Sequence, residues 1–83
     1  MKYKVAFKKS VSRDLRKIDK RLVNKILEKI DEELSMKASQ YPELKGPFSG
    51  LRKCRIGDYR IIFTIINDTV LILRIKHRKN AYK

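Results

Sequence analysis

Three cationic residues lie close together in the sequence on either side of a turn signal. Lys53 and Arg55 precede Gly57-Asp58, and Arg60 follows it. If these two turn residues form a two-residue hairpin loop, Arg55 faces Arg60 directly, with Lys53 diagonal to them on the same face. Like charges opposed across a sheet are destabilising. Such a local conflict is typical of functional sites, so the cluster predicts a site for an anionic ligand rather than a solvated face.

The same register places apolar residues on the other face of the hairpin. Ile56 then faces Tyr59, and Cys54 faces Ile61, which suits burial against helices. Cys54 is therefore predicted to pack in the core rather than to act as a nucleophile.

The chemistry that fits a group of lysine and arginine side chains is that of a phosphodiester. A planar guanidinium can stabilise the extra charge on a pentacovalent phosphorane. RNA supplies its own nucleophile, the 2′-hydroxyl, so a protein need only remove one proton, stabilise the phosphorane and help the 5′-oxygen leave. Neighbouring guanidinium groups disfavour the ammonium form of Lys53, which makes its amine a candidate base. Tyr82, near Arg78, is a second candidate.

A metal site is not expected, and neither is any other cofactor. Asp58 and Asp68 are isolated turn residues, and the run 31–33 consists of successive helical acids that cannot converge on one ion. His77 is the only histidine, and it either contacts substrate or simply ends the last strand.

The elements that position these residues follow from apolar periodicity. Residues 2–8 alternate, which predicts a strand. From Val11 to Leu34 apolar residues recur every three or four positions, which predicts helix starting after a Ser10 N-cap. One helix reaching Ser39 would be about 45 Å long, against a radius of gyration of about 12 Å for a chain of this size. A corner is therefore predicted at residues 17–20, with Asp19 capping the second helix.

The rest of the chain predicts a β meander after a connecting loop at residues 41–50. Strands are expected at 51–56, 59–66 and 70–75. The order is β-α-α-β-β-β, and the expected α+β fold is a four-stranded antiparallel sheet with two helices on one face. A chain of 83 residues has room for a single domain, 1–83.

The register of the last hairpin has two solutions. A three-residue loop at 67–69 would place Arg74 and Lys76 on the cationic face, and Leu71, Leu73 and Ile75 in the core. A two-residue loop would exchange the faces and leave Arg74 against the helices. Burial of the apolar set favours the first solution.

Overall charge narrows the class of partner. The chain carries +13 and is 42% hydrophobic, which argues against simple disorder and points to a polyanionic partner. No apolar run approaches the roughly 18 residues of a membrane span, and no signal peptide is visible. The single Cys54 cannot form an internal disulfide, so a cytoplasmic location is expected.

Over nearly its whole length the sequence resembles the RelE/ParE toxin superfamily of type II toxin–antitoxin modules. The resemblance rests on the order of elements, the loop 44–48, the specific run 51–63 and the ending 77–82. A RelE-like member would cleave messenger RNA in the ribosomal A site without a metal. It would be held inactive by an acidic, RelB-like antitoxin in a hetero-oligomer.

The resemblance also implies roles for individual residues. Arg60 would stabilise the phosphate, Lys53 and Arg55 would be its basic companions, Arg78 the arginine of the tail motif and Tyr82 the terminal tyrosine. The remaining cationic and tail residues are predicted to bind substrate: Lys45, Arg74, Lys76, His77 and Lys79.

Two alternatives remain. ParE-like members of the superfamily share the fold and inhibit DNA gyrase without cutting RNA. A non-catalytic RNA-binding protein would explain the charge but not the tail tyrosine. The combination of catalytic candidates favours the RelE-like reading.

Overall fold

A four-stranded sheet with helices against one face forms this protein, seen in a computed structural model that describes residues 2–48 and 50–79. The predicted order β-α-α-β-β-β is confirmed. The principal elements are β1 (Lys4–Phe7), α1 (Lys9–Arg16), α2 (Lys20–Lys29), β2 (Arg52–Ile56), β3 (Tyr59–Ile66) and β4 (Thr69–His77).

The sheet is mixed, and the expectation of a fully antiparallel sheet is wrong. The strand order is β1-β4-β3-β2, with β1 parallel to β4 and the other pairs antiparallel. Tight turns fix the directions of β2, β3 and β4 relative to one another. The first strand reaches β4 only through tertiary packing, so no local turn signal in the sequence specifies its direction.

The helical segment bends where the sequence predicts. Asp19 is the N-cap of α2, and its carboxylate accepts a hydrogen bond from the Arg21 amide at 2.8 Å. After α2 the helical path continues through a π-helical turn, a short α3 (Ser35–Lys37) and a 3-10 turn. The expected N-cap at Ser10 is wrong, because α1 begins at Lys9 with Lys8 at the N-cap position, and the Lys8 side chain makes no capping hydrogen bond.

The core lies between the helices and one face of the sheet. Its largest fully buried side chains come from both layers: Val11, Ile30, Leu34, Ile61, Phe63, Val70, Ile72 and Ile75. Leu22, which belongs to the predicted apolar stripe, is instead 43% exposed. The other sheet face, here called the outer face, points away from the helices.

One edge of β4 is completed by helix α1 rather than by a strand. β1 pairs with only the first four residues of β4, Thr69 to Ile72. Beyond that point the Ser10 hydroxyl donates to the Leu73 carbonyl at 2.7 Å, and the Ile75 amide donates to Asp14 Oδ2 at 2.9 Å. These side chains satisfy backbone groups that an edge strand would otherwise expose.

Asp14 also holds the Arg74 side chain. The guanidinium donates to both carboxylate oxygens at 2.9 Å, and Asp14 is 5% exposed. Burial by itself raises the pKa of Asp14, but the hydrogen bonds from Arg74 and Ile75 and the nearby positive charges outweigh it, so the pKa is lowered overall. Asp14 therefore remains a carboxylate at neutral pH.

No helix in the described part of the chain is long and apolar enough to cross a membrane.

We expect Asp14→Ala to lower the free energy of unfolding by about 2–3 kcal/mol, because it leaves the Ile75 amide without its acceptor and releases a half-exposed Arg74. Urea unfolding followed by circular dichroism measures this. Glu28→Ala, an exposed acid on α2, is the matched control and should change stability by less than about 0.5 kcal/mol. Equal losses in the two variants would contradict the role of Asp14.

The stability difference between the wild type and Asp14→Asn should depend on pH. A carboxyl whose folded-state pKa is lowered stabilises the fold above its unfolded value, near 3.8, and loses that contribution as the pH falls through the lower folded value. Urea midpoints between about pH 2 and pH 7 should show the largest difference in stability between the two proteins at neutral pH, and a smaller difference in acid. A gap that widened in acid would contradict this assignment.

Candidate functional site

A row of cationic residues crosses the outer face of the sheet. Arg55 on β2 pairs with Arg60 on β3, and Arg60 pairs with Lys76 on β4. Residues in such a row lie on adjacent strands about 4.8 Å apart. We call Arg55, Arg60 and Lys76 the cationic row, and it confirms the predicted pairing of Arg55 with Arg60.

The next row toward the centre of the sheet is partly cationic. Ile62 lies between Lys53 and Arg74 in it. All five basic residues of these two rows therefore belong by register to the outer face, although two of them are separated by an apolar residue.

The last hairpin reaches this arrangement by a route that the sequence did not indicate. Ile66 pairs with Thr69, so the loop has two residues and the expected three-residue loop is wrong. The register then shifts between Ile62 and Phe63, leaving Leu73 as an extra residue in β4. This bulge exchanges the faces again.

The bulge decides which residues of β4 are buried. Val70 and Ile72 precede it and Ile75 follows it, and all three are buried. The predicted core positions of Leu71 and Leu73 are wrong, because both side chains are only half-buried. Ile75 in the core is confirmed, as is the outer-face register of Arg74 and Lys76.

A cleft lies where the cationic row meets the edge strand β2. Its volume is about 350 Å³, and its lining comprises Pro42, Lys53, Cys54, Arg55 and Arg60. Three predicted catalytic residues therefore line one opening. Pro42 had no sequence signal beyond its place in the loop, because its position depends on how that loop folds back.

Arg52 holds that loop in place. Its guanidinium donates to the Tyr41 carbonyl at 2.5 Å and to Glu43 Oε1 at 3.4 Å. The Leu44 amide donates to the Leu51 carbonyl at 2.8 Å. The loop is thereby tied to the start of β2, with Pro42 beside the cleft.

Beneath the cleft, Cys54 and Tyr41 form a buried polar contact. The Tyr41 hydroxyl donates to Glu33 Oε2 at 3.0 Å, and burial with the nearby thiol and carboxylate raises the pKa of Tyr41. Burial likewise raises the pKa of Cys54, which is 3% exposed. Cys54 is therefore a thiol at neutral pH, in agreement with its predicted place on the core side.

The Arg74 guanidinium is held by Asp14. Its predicted part in substrate binding remains a prediction. Asp14 itself was missed by the sequence reasoning, although a signal existed. It stands three residues after Val11 and four before Ile18, on the apolar side of α1, where a carboxylate needs a buried partner.

Arg78 and His77 lie at the end of β4 and make different contacts. Arg78 is exposed, its amide donates to the Asp58 carbonyl at 2.7 Å, and its Nε lies 3.9 Å from Asp58 Oδ1. His77 pairs with Tyr59, and their rings meet edge to face with centroids 5.3 Å apart. Alternation puts both rings on the face opposite Arg60.

The other predicted positions are less informative. Lys45 is exposed in the loop before β2, and Lys79 is exposed after β4. Tyr82 lies outside the described residues. Within the described ranges, no group of three or more histidine, cysteine or acidic side chains is placed to hold a metal ion.

Known proteins resemble this chain over almost its full length. The family model for the ParE toxin of the type II toxin–antitoxin system parDE matches residues 5–82. Toxin RelG of Mycobacterium tuberculosis is 31% identical over 86 residues, covering 100% of this chain and 99% of RelG.

Solved structures agree with the sequence matches. The toxin–antitoxin complex RelBE2 from Mycobacterium tuberculosis contains a chain with a TM-score of 0.88 and 30% identity, covering 96% of this chain and 95% of that one. The archaeal RelE–RelB complex from Pyrococcus horikoshii contains a chain with a TM-score of 0.73 and 27% identity. That match covers 98% of this chain and 100% of the other. These matches span almost the whole chain, which therefore belongs to the RelE/ParE superfamily of type II toxin–antitoxin toxins.

Proposed function

We propose that this toxin is a ribosome-dependent endoribonuclease that cleaves messenger RNA in the A site without a metal ion. The observation that carries the proposal is the cleft lined by Lys53, Arg55 and Arg60, which continues into Lys76 along the cationic row. Like charges brought this close on a sheet disfavour the free protein. A phosphodiester that binds between them removes that repulsion.

The proposed reaction needs only groups from the protein and the RNA. The 2′-oxygen attacks the adjacent phosphorus, forming the new O2′–P bond as the P–O5′ bond breaks. Lys53 or Tyr82, acting as general base, takes the 2′-hydroxyl proton, and the departing 5′-oxygen gains a proton from a neighbouring cationic donor or from water. The products are a 2′,3′-cyclic phosphate and a 5′-hydroxyl.

Arg60 and Arg55 have the transition-state role in this scheme. The two residues pair across β2 and β3, so donors from two strands can reach the non-bridging oxygens of one phosphate. Charge develops on these oxygens in the phosphorane, and preformed donors stabilise it more than they stabilise the ground state. Arg78, which the family resemblance adds to the site, would have to leave Asp58 to join them.

The proposed protein partner is an acidic, RelB-like antitoxin that covers the outer face and Arg60. A net charge of +13 calls for carboxylates in a stable complex. The RelBE2 and Pyrococcus horikoshii relatives are complexes of toxin with antitoxin. A hetero-oligomer in which the antitoxin occupies the cleft would keep message out until the antitoxin is removed.

Gyrase inhibition is the second candidate, and the matching ParE family model favours it. On that reading the cationic row would contact gyrase or its DNA without breaking a bond. Only the endoribonuclease would generate cleaved RNA, so experiment can separate the two candidates.

We expect Arg60→Ala to reduce message cleavage about 10²–10³-fold, the usual effect of removing one transition-state donor. Primer extension on a translated message measures A-site cuts, and end-group analysis detects the cyclic phosphate. Arg13→Ala, an exposed arginine on α1, is the matched control and should retain activity. Thermal unfolding of both variants checks that the fold is kept.

Three outcomes would contradict this assignment in different ways. Intact message with inhibited gyrase supercoiling would support the ParE-like reading. Salt-sensitive RNA binding without cyclic phosphate would indicate a non-catalytic binder. Equal activity of Arg60→Ala and Arg13→Ala would remove Arg60 from the site.

A further inference from the structure

A second cleft lies on the other side of the sheet end from Arg60. Its volume is about 240 Å³, and it is lined by Asp14, Lys17, Ile18, Tyr59, Ile75, Lys76 and His77. It lies between the end of α1 and the paired ends of β3 and β4. This volume is below the roughly 300 Å³ at which drug-sized pockets begin, so the cleft suits one planar ring with a short polar extension.

We propose that this cleft is a nucleotide subsite, in which Tyr59 and His77 contact the base and Lys17 and Lys76 contact the phosphate of a nucleotide next to the cleaved bond. The proposal rests on the RNA-cleaving function above and extends it to a surface outside the catalytic residues. Lys17 and Tyr59 acquire a role in substrate binding that their sequence positions did not indicate.

The two rings provide the surface for a base. Tyr59 and His77 are nearly perpendicular, at 87°. A planar group can therefore stack on one ring and meet the edge of the other, the geometries that aromatic groups prefer. Stacking on aromatic side chains tolerates any base, because every base has a π-face.

His77 can serve as a hydrogen-bond donor to such a ligand. The Lys79 amide donates to His77 Nδ1 at 3.3 Å. A nitrogen that accepts a hydrogen bond carries no proton, so in the neutral ring the proton is on Nε2. That N–H can donate to a base carbonyl or ring nitrogen.

The charges around the cleft favour an anion. Lys17 and Lys76 line it together with Asp14, the one acidic residue among its lining groups. The carboxylate of Asp14 is already occupied by Arg74 and the Ile75 amide. Its charge is thus compensated within the protein, and the two lysines remain to attract a phosphate.

Lys76 connects this cleft to the cationic row. It pairs with Arg60 on the outer face and also lines the second cleft. Tyr59 and Arg60 are adjacent in β3 and point to opposite faces. A strand with its reacting phosphate at Arg60 can therefore pass over Lys76 and place its next nucleotide against Tyr59 and His77.

The test is a titration of ¹⁵N-labelled protein with each of the four nucleoside 5′-monophosphates, followed by amide chemical shifts, with inorganic phosphate as a separate probe. We expect the nucleotides to shift the amides of Lys17, Tyr59 and His77, and phosphate alone not to reproduce those shifts. Equal shifts with phosphate, or nucleotide shifts confined to Arg55 and Arg60, would overturn the proposal.

A matched pair of charge reversals sharpens the result. Lys17→Glu should weaken nucleotide binding at the cleft about fivefold or more, whereas Lys25→Glu, an exposed lysine on α2, should change it less than about twofold. Equal losses would overturn the subsite. Because binding is read without cleavage, message left intact by a protein that still binds nucleotide here would count against the endoribonuclease and not against the cleft.

Discussion

The carboxylate of Asp14 is the contact on which the functional end of the molecule depends. β1 leaves β4 at Ile72, and beyond that residue helix α1 is the neighbour of the strand. Asp14 joins the helix to the strand through a backbone amide and a side chain at once. The segment of β4 that follows carries Lys76 and His77, so the second cleft and the Lys76 end of the cationic row take their position from this contact.

A bulge at Leu73 gives the same strand its two roles. Before the bulge, the even-numbered residues Val70 and Ile72 of β4 face the core. After the bulge the odd-numbered residue Ile75 does so instead. An uninterrupted strand would have had to bury Arg74 or expose Ile75. Bulges re-aim side chains near functional sites, and here the bulge turns Lys76 toward Arg60 while the core stays closed.

Features controlled by local interactions could be predicted from the sequence. The pairing of Arg55 with Arg60 follows from Gly57-Asp58, and the helix corner follows from the capping ability of Asp19. Features that depend on packing between distant segments could not. The parallel direction of β1, the release of Ser10 from capping to bind the Leu73 carbonyl, and the bulge itself all depend on how α1 lies against β4. Consequently the catalytic candidates on the hairpin could be predicted, whereas the second cleft, which needs α1 and β4 together, could not.

The separation of charges explains how one small surface can serve two kinds of partner. Arg74 is compensated internally by Asp14. Arg55 and Lys76 lie on either side of Arg60 in the cationic row. Repulsion in that row is relieved by any polyanion of matching spacing, whether a phosphate chain or a series of carboxylates. Under the proposed function, message and antitoxin would therefore compete for binding to the cationic row. An antitoxin would then not need to distort the active site to inhibit it. Occupying the cationic row would suffice, because on this proposal the charges that would stabilise the transition state are the ones that would bind the inhibitor.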